Sequence, residues 1–395
     1  MRPSATSLEQ LRALVWDDVR LRERLYQPDD IRSFVALVVA SGRDHGLELA
    51  AADIEAAMRA YGQAAPLDVG AARLPPTGWL PFRTQWQQGE LHVEWIYFGG
   101  QPLRAPFFEE TTGRVRSKPF NLLFCHATPI GALALPRADH LRPTGFIFHM
   151  SRCGSTLVSQ MLAAIPRHIV VSEASPIDAV VQARHLRPDL SEEQHAVWLA
   201  GMVGAFGQVR SGEETDFFIK LDAWHTLALP LFRRAFPDVP WIFLYRDPVE
   251  VMVSQSRQRG IHTIPGMIGP DLFGIPPPQF ALASEDYCAQ VLGKICDGAL
   301  QHYAEDMGLL VNYRELPSAV WTTILPHLGV TCSEEDRALM MQAARYDAKS
   351  PYFEFAADSH DKQAKATDAI RAAAAARLAG LYGRLEALRM SDSRR

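Results

Sequence analysis

Gly145-Phe146-Ile147-Phe148-His149-Met150-Ser151-Arg152-Cys153-Gly154-Ser155-Thr156-Leu157 is the stretch on which the reading of this 395-residue chain turns. An apolar strand runs into a loop with one cation, one glycine and two hydroxyls, and an amphipathic helix follows. Backbone N–H groups at a helix start lack intrahelical acceptors and carry the positive end of the dipole. Gly154 allows close backbone approach, and Arg152 adds a fixed charge. The loop is therefore expected to cradle a phosphate, and the chain to hold a nucleotide or another polyanion. The same strand, loop and helix could also be purely structural, with the glycine serving only the turn.

Working outward, a second strand meets a helix in Trp241-Ile242-Phe243-Leu244-Tyr245-Arg246-Asp247-Pro248-Val249-Glu250-Val251-Met252-Val253-Ser254-Gln255. Pro248 suits the first helical turn, and Asp247 suits the cap. Arg246 is thereby placed at the C-terminal end of a strand, where open α/β sheets hold their ligands. Ser254 lies two turns into the helix, within reach of the same corner. An Arg–Asp surface pair with an incidental helix serine is the plainer alternative.

The first loop is close to the Walker A pattern G-x-x-x-x-G-K-[ST], but it lacks the first glycine and carries Ser155 where the lysine belongs. Arg152, two residues before Gly154-Ser155-Thr156, resembles instead the 5′-phosphosulfate loop of the sulfotransferases that use 3′-phosphoadenosine-5′-phosphosulfate (PAPS). Arg246 and Ser254 match in type and spacing the pair that holds the 3′-phosphate in that family. The resemblance spans roughly residues 144–390. It implies a metal-independent, bacterial-type PAPS-dependent sulfotransferase, with Arg152, Cys153, Gly154, Ser155, Thr156, Arg246 and Ser254 binding the co-substrate.

The resemblance also implies catalytic roles. Arg152 would neutralise the leaving oxygen. Lys220, closing the run Phe217-Phe218-Ile219, would touch the sulfuryl or bridging oxygen; a salt bridge with a nearby carboxylate is its structural alternative. Glu173, ending Val170-Val171-Ser172, matches the glutamate that accepts the acceptor proton in tyrosylprotein-type sulfotransferases. The cytosolic enzymes use a histidine two residues after the strand lysine, and here that position is Asp222. Asp222 and His225 stay open as bases, since geometry decides. Tyr313-Arg314-Glu315-Leu316 resembles a largely structural segment of the family. Asp361-Lys362-Gln363-Ala364-Lys365 falls where the family has a basic loop near the nucleotide, but it reads first as a solvated charge run.

Apolar and charged fractions of 48% and 22% are those of an ordinary globular protein. The formal charge of −5 argues against a broad nucleic-acid footprint, so the charge for a nucleotide must be local. No apolar run is long enough to span a membrane, and MRPSATSLEQLRALVWDDVR is charged throughout, so a cytoplasmic protein is expected. The five cysteines lack CxxC spacing and imply neither a zinc site nor a disulfide framework. Cys153, at a helix start beside Arg152, is a candidate for a lowered pKa, although a small residue filling a tight loop is the simpler reading.

The fold expected is α/β, a P-loop-like parallel sheet flanked by helices, with a small N-terminal all-α module and an intervening β-rich segment. Residues 1–62 read as three helices, opened by a Ser7-x-x-Gln10 capping box and with Gly42 closing the second. Their hydrophobic spacing resembles the nitrogen-fixation-type leader-peptide domain, which implies peptide docking; a helical cap packed on the remainder fits equally. Residues 63–78, with Pro66, Gly70, Pro75, Pro76 and Gly78, read as a linker. Residues 79–139 hold a hairpin, Phe82 to Trp86 and Leu91 to Phe98, whose Trp95, Tyr97 and Phe98 suit a buried face better than an acceptor pocket. From 140 to 395 strands at 145–149, 169–172, 217–221, 241–245 and 309–313 alternate with helices, and Ile370 to Leu388 form one long amphipathic helix. The acceptor, a hydroxyl or amine on a peptide or small metabolite, is expected between the sheet and segments 174–212 and 260–285. Two other readings stay open: a P-loop kinase using Mg·ATP, and a non-catalytic peptide-binding adaptor.

Overall fold

The computed structural model describes residues 6–60, 67–68, 73–137, 140–269, 272–276, 282–303, 307–347, 350–354 and 358–392. Pro66 and Gly70, named above as linker residues, lie outside the described residues, as do parts of the 260–285 segment.

Four short helices, not three, open the chain: α1 (Ser7–Asp17), α2 (Val19–Tyr26), α3 (Ile31–Asp44) and α4 (Ala51–Arg59). The first expected helix divides because the Asp18 carboxylate accepts from the Arg20 and Leu21 N–H groups and so caps a second one. The capping box is Thr6 with Glu9, one residue earlier than expected. Helix α3 continues through Gly42, which packs so closely on Leu49 that a Cβ there would stand 2.5 Å from Leu49 Cδ1.

Next, β1 (Leu67–Asp68), β2 (Trp79–Gln87), β3 (Glu90–Tyr97) and β4 (His126–Pro129) form a sheet in the order β1-β4-β3-β2. Gln88 and Gly89, both at positive φ, make the hairpin turn. Trp95, Tyr97 and Phe98 are buried as expected, and with Ile96 buried too the end of β3 is covered on both faces. Trp16 of α1 and Tyr26 of α2 pack their rings on Trp79 and Tyr97, so the helical module seals this sheet. Helices α5 (Phe108–Arg116) and α6 (Pro119–Leu123) lie between β3 and β4 in sequence.

The remainder is built on five parallel strands, β5 (Gly145–His149), β6 (His168–Ser172), β7 (Asp216–Lys220), β8 (Trp241–Tyr245) and β9 (Gly308–Asn312), in the order β6-β7-β5-β8-β9. Each lies within one residue of its expected bounds. Runs of Phe, Ile, Val and Leu without polar alternation mark strands covered on both faces, and helices such as α7 (Ser155–Ala163) supply the cover. The chain leaves β5 for β6 and β7 on one side, then crosses to β8 on the other. That crossover opens a crevice beyond the C-terminal end of β5.

At the C-terminus the single expected helix is two, Asp368–Arg377 and Ala379–Asp392, both packed on the helix Ser284–Tyr303. The chain turns at Leu378, and Gly380 just beyond weakens continuation of the helix. Among the described residues no helix is long and apolar enough to cross a membrane.

Candidate active site

The loop between β5 and α7 has three residues in the left-handed region, Ser151 (φ 74°), Arg152 (φ 51°) and Gly154 (φ 89°). Backbone turned this way directs successive N–H groups into one concavity, an arrangement that favours anions. For Ser151 and Arg152 the conformation costs on the order of 1 kcal/mol or more each, and surrounding contacts must hold it. Ser151 N–H donates to His149 Nδ1 at 3.1 Å, and Ser151 Oγ accepts from Gln255 Nε2 at 3.0 Å. Because His149 Nδ1 is the acceptor, its proton sits on Nε2, which donates to the Leu221 carbonyl at 2.8 Å. Burial lowers the His149 pKa and keeps the ring neutral. At Gly154 a Cβ would stand 2.7 Å from Leu316 Cδ1 and 2.9 Å from Tyr313 Cδ2, so glycine is required for contact as well as for φ. Ser155 and Thr156 are buried by their helix yet line the cleft.

Cys153 departs from the expected lowered pKa. Its side chain turns to the back of the loop, donates to the Leu244 carbonyl at 3.1 Å, and is pushed up to about 12 by burial. A thiol with no water to solvate its anion is not a reactive one. Cys153 thus offers the cleft only its backbone. All five cysteines are free.

Beyond the strand ends lies a cleft of about 400 Å³, within the size range of small-molecule sites. The cradle forms one wall. Glu173, at φ 53° just past β6, projects from a second. Lys220, the last residue of β7, is completely buried behind it, with Nζ 2.5 Å from Glu173 Oε1. His149 Nε2 is 3.5 Å from the same oxygen. Burial opposes ionisation of Glu173, but Lys220 and His149 outweigh it and hold the carboxylate ionised, far below the usual range. The salt-bridge alternative for Lys220 is therefore real, and its partner is another expected catalytic residue, Glu173.

Asp222, two residues after Lys220, also lines the cleft, and its environment is the opposite. Burial, with the neighbouring Glu173 and Asp178 charges, raises it to about 7 against the pull of His225 and Lys220. His225 itself is raised: burial acts against its protonation, but Asp178 and Asp222 prevail. Its Nε2 lies 2.8 Å from Asp178 Oδ1, which also accepts from the Trp224 indole at 2.7 Å. Asp178, Asp222 and His225 bring ligand-type atoms within 4.8 Å of one another. His225 Nε2 is already taken by Asp178, and Asp222 Oδ2 stands 3.9 Å from it, so the trio is better described as a polar network than as a metal cage.

Arg246 follows β8 and is buried, stacked 3.8 Å from the Tyr313 ring centre. Nε donates to Glu250 Oε2 at 2.6 Å, while Nη2 donates to Asp358 Oδ1 at 2.7 Å and to Ser359 Oγ at 3.2 Å. Asp247 caps the helix Pro248–Arg257, and Ser254 of that helix faces the same cleft as Arg246. Lys362 overturns the solvated reading of its charge run. It is buried, lines the cleft, and places Nζ 2.8 Å from Asp358 Oδ2.

All of the expected site residues line one cleft except Lys220, which reaches it through Glu173, and the alternative base His225, which is buried behind it on Asp178. Sequence reasoning missed Phe107, Trp224, His262, Asp358 and Lys362, which line it too. None of the lining residues comes from 174–212; Phe107, in the stretch between β3 and α5, stands there instead. Two of them carried a signal: His262 falls in the 260–285 segment expected over the site, and Lys362 in the basic run already noted.

Residues 143–264 match the sulfotransferase family. The sulfotransferase match takes in β5 to β8, the cradle, Glu173, Lys220, Asp222, Arg246 and Ser254, and supports sulfotransfer in general. No curated protein matches the chain. Among solved structures it is similar to the sulfotransferase domain from the curacin biosynthetic pathway, with 15% identity over 60% of this chain and 98% of that one and a TM-score of 0.39. The corresponding domain of the Synechococcus olefin synthase shows 17% identity over 64% and 96%, with a TM-score of 0.39. A sulfotransferase from Mycobacterium avium shows 15% over 60% and 76%, with a TM-score of 0.37.

Proposed function

We propose that the cleft transfers a sulfuryl group from PAPS to an acceptor hydroxyl. The observation that carries this reading is the convergence of two anion-holding corners in one cleft. The Ser151–Thr156 cradle ends β5, and the Arg246–Ser254 corner ends the adjacent β8, with the Lys220–Glu173 pair between β7 and β6 beside them. A nucleotide phosphorylated at both ends of its ribose has two anionic groups to place, and a helix start and a buried arginine suit them.

In this scheme the 5′-phosphate lies on the cradle N–H groups with the Ser155 and Thr156 hydroxyls, and the 3′-phosphate on Arg246, Ser254 and Lys362. The bond from sulfur to the bridging phosphate oxygen breaks as the acceptor oxygen bonds to sulfur. Arg152 and Lys220 stabilise charge on the departing oxygen and the sulfuryl group, and adenosine 3′,5′-bisphosphate leaves. The acceptor proton passes to a carboxylate. Glu173 and Asp222 both face the cleft, but a base works best with a pKa near the working pH. Glu173, held ionised by Lys220, is therefore the weaker acceptor and serves to position the ammonium, while Asp222 is matched to the task. The notion that residues 1–62 dock peptides gains nothing from the packing, since Leu11, Val15 and Phe34 are spent on the protein's own core. A P-loop kinase would want a lysine where Ser155 stands.

Calorimetric titration with adenosine 3′,5′-bisphosphate, without metal, tests the reading. Micromolar binding is expected, weakened by roughly 100-fold in Arg246→Ala as a charge-assisted contact to phosphate is lost. Preference for Mg·ATP would move the chemistry to phosphoryl transfer, and binding without turnover, indifferent to Arg152→Ala, would leave only an adaptor.

A further inference from the structure

Away from the cradle the cleft changes character. Phe107, Ala223, Trp224 and Ile261 line that end. The polar groups among them are few. The Trp224 indole N–H is committed to Asp178, and Lys220, buried behind Glu173, is assigned above to the sulfuryl group, so neither serves the body of an acceptor. What faces the space is the pair of carboxylates Glu173 and Asp222, together with His262, whose buried Nε2 has no hydrogen-bond partner among the described residues.

Phe107 is brought here deliberately, from outside the stretch that matches the family. Its ring lies 4.8 Å from Lys220 Nζ, capping the ion pair. Its neighbour Phe108 packs edge-on against Phe206 at 5.3 Å, Glu109 accepts from Ser175 Oγ at 2.6 Å, and Arg210 donates to the Gln101 carbonyl at 2.7 Å. Three ties between this stretch and the α/β unit fix where the ring stands. Elsewhere along the cleft Gln255 accepts from the Gly260 N–H at 2.8 Å and fixes the turn that carries Ile261 and His262.

Building on sulfuryl transfer at this cleft, we propose that the acceptor is an aryl alcohol, its flat body held between Phe107 and Trp224 with its hydroxyl at the carboxylates, and that Phe107 is the specificity-determining residue. A polyol such as a sugar would bury several hydroxyls where, among the described residues at this end, three polar side chains wait, and each unpaired hydroxyl costs on the order of 1–3 kcal/mol. A planar ring with one hydroxyl leaves nothing unpaired, and aromatic faces prefer such a partner. In the transfer step the aryl oxygen bonds to sulfur, its proton passes to the carboxylate, and the bisphosphate carries away the electron pair of the broken S–O bond. The ring belongs either to a small phenol or to a tyrosyl side chain, since the chemistry recognised is the same.

The test uses the full chain with PAPS and three acceptors: 2-naphthol, a tyrosine-containing peptide and glucosamine. Turnover of 2-naphthol or of the peptide, but not of glucosamine, is expected, and the better of the two identifies the source. Phe107→Ala should raise the KM for that acceptor by about ten-fold, with the KM for PAPS and the affinity for adenosine 3′,5′-bisphosphate unchanged. Phe107→Trp should restore it. Quenching of tryptophan fluorescence by 2-naphthol in the presence of the bisphosphate gives the same ranking without turnover. If Phe107→Ala loses its native circular dichroism, Phe107→Leu replaces it and should show the same direction. An acceptor KM indifferent to residue 107, or turnover of glucosamine alone, overturns the proposal while leaving sulfuryl transfer intact. Failure of the wild type to bind the bisphosphate overturns both.

Discussion

Replacing Asp358 by asparagine isolates a competition built into the nucleotide corner. Asp358 bridges two cations, Arg246 Nη2 at 2.7 Å and Lys362 Nζ at 2.8 Å, and a 3′-phosphate seeking the same two must displace it. Hydrogen bonds to charged groups are worth about 1.5–3 kcal/mol each when well shielded, and exposed ion pairs about 0–1. The cations are buried but the Asp358 side chain is 39% exposed, which puts the carboxylate's hold at the low end, about 1–2 kcal/mol in all. Asp358→Asn should therefore tighten adenosine 3′,5′-bisphosphate by roughly 5- to 30-fold. Lys362 loses its partner in the free protein, so the same change should lower the melting temperature by a few degrees. Arg246 keeps Glu250 and stays in place. Calorimetry at fixed ionic strength measures the gain, and AMP, which lacks the 3′-phosphate, is the control: its affinity should not change. Equal or weaker bisphosphate binding, or an equal gain for AMP, would refute the assignment of Arg246 and Lys362 to the 3′-phosphate.

The rate should rise with pH as the Asp222 carboxylate, raised to about 7 by burial, ionises; Asp222→Asn should remove that limb, whereas Glu173→Gln should lower the rate without moving it, and a limb that survives Asp222→Asn excludes Asp222 as base. The same group makes a stability prediction of definite sign. Between its unfolded value and about 7 the native chain retains a proton that the unfolded chain releases, so stability falls as pH rises through that window. Asp222→Asn should flatten the fall, by on the order of a few kcal/mol at most, in urea unfolding followed from pH 4 to 8. Gly154→Ala should cost about 2 kcal/mol, from a side chain forced to φ 89° and against Leu316, and should weaken bisphosphate binding more than ten-fold; a variant of unchanged affinity would remove the cradle from the site.

What was legible in the sequence had local causes. The strands β5 to β9 are short apolar runs of five residues each, most of them rich in β-branched and aromatic side chains, a length and composition that favour strands covered on both faces. The Ser155-Thr156 helix start and the Asp247-Pro248 cap are written in neighbouring residues, and each fixes where its strand ends. Because a parallel sheet brings its C-terminal edges together, Arg152, Glu173, Lys220 and Arg246 were bound to approach one another once the five strands were recognised. The extra helix at Asp18 and the break at Leu378 were harder to see, because a single cap or one turn of competing packing decides them.

The rest was decided by tertiary structure, for a physical reason. Phe107 reaches the cleft because Phe206, Ser175 and Arg210 anchor its stretch, none of them within 60 residues of it along the chain. Asp358 and Lys362 look like solvent-facing charges until a helix more than 100 residues beyond Arg246 folds back over it. The two carboxylates differ most of all: Glu173 and Asp222 are equally acidic as residue types, and only the placement of Lys220 and His149 around one, and of buried surface and like charge around the other, drives their proton affinities apart. Local pattern thus determined the sheet and the strand ends from which the site is built; which groups pair across it, and so which one can take a proton, depends on distances that sequence order does not set.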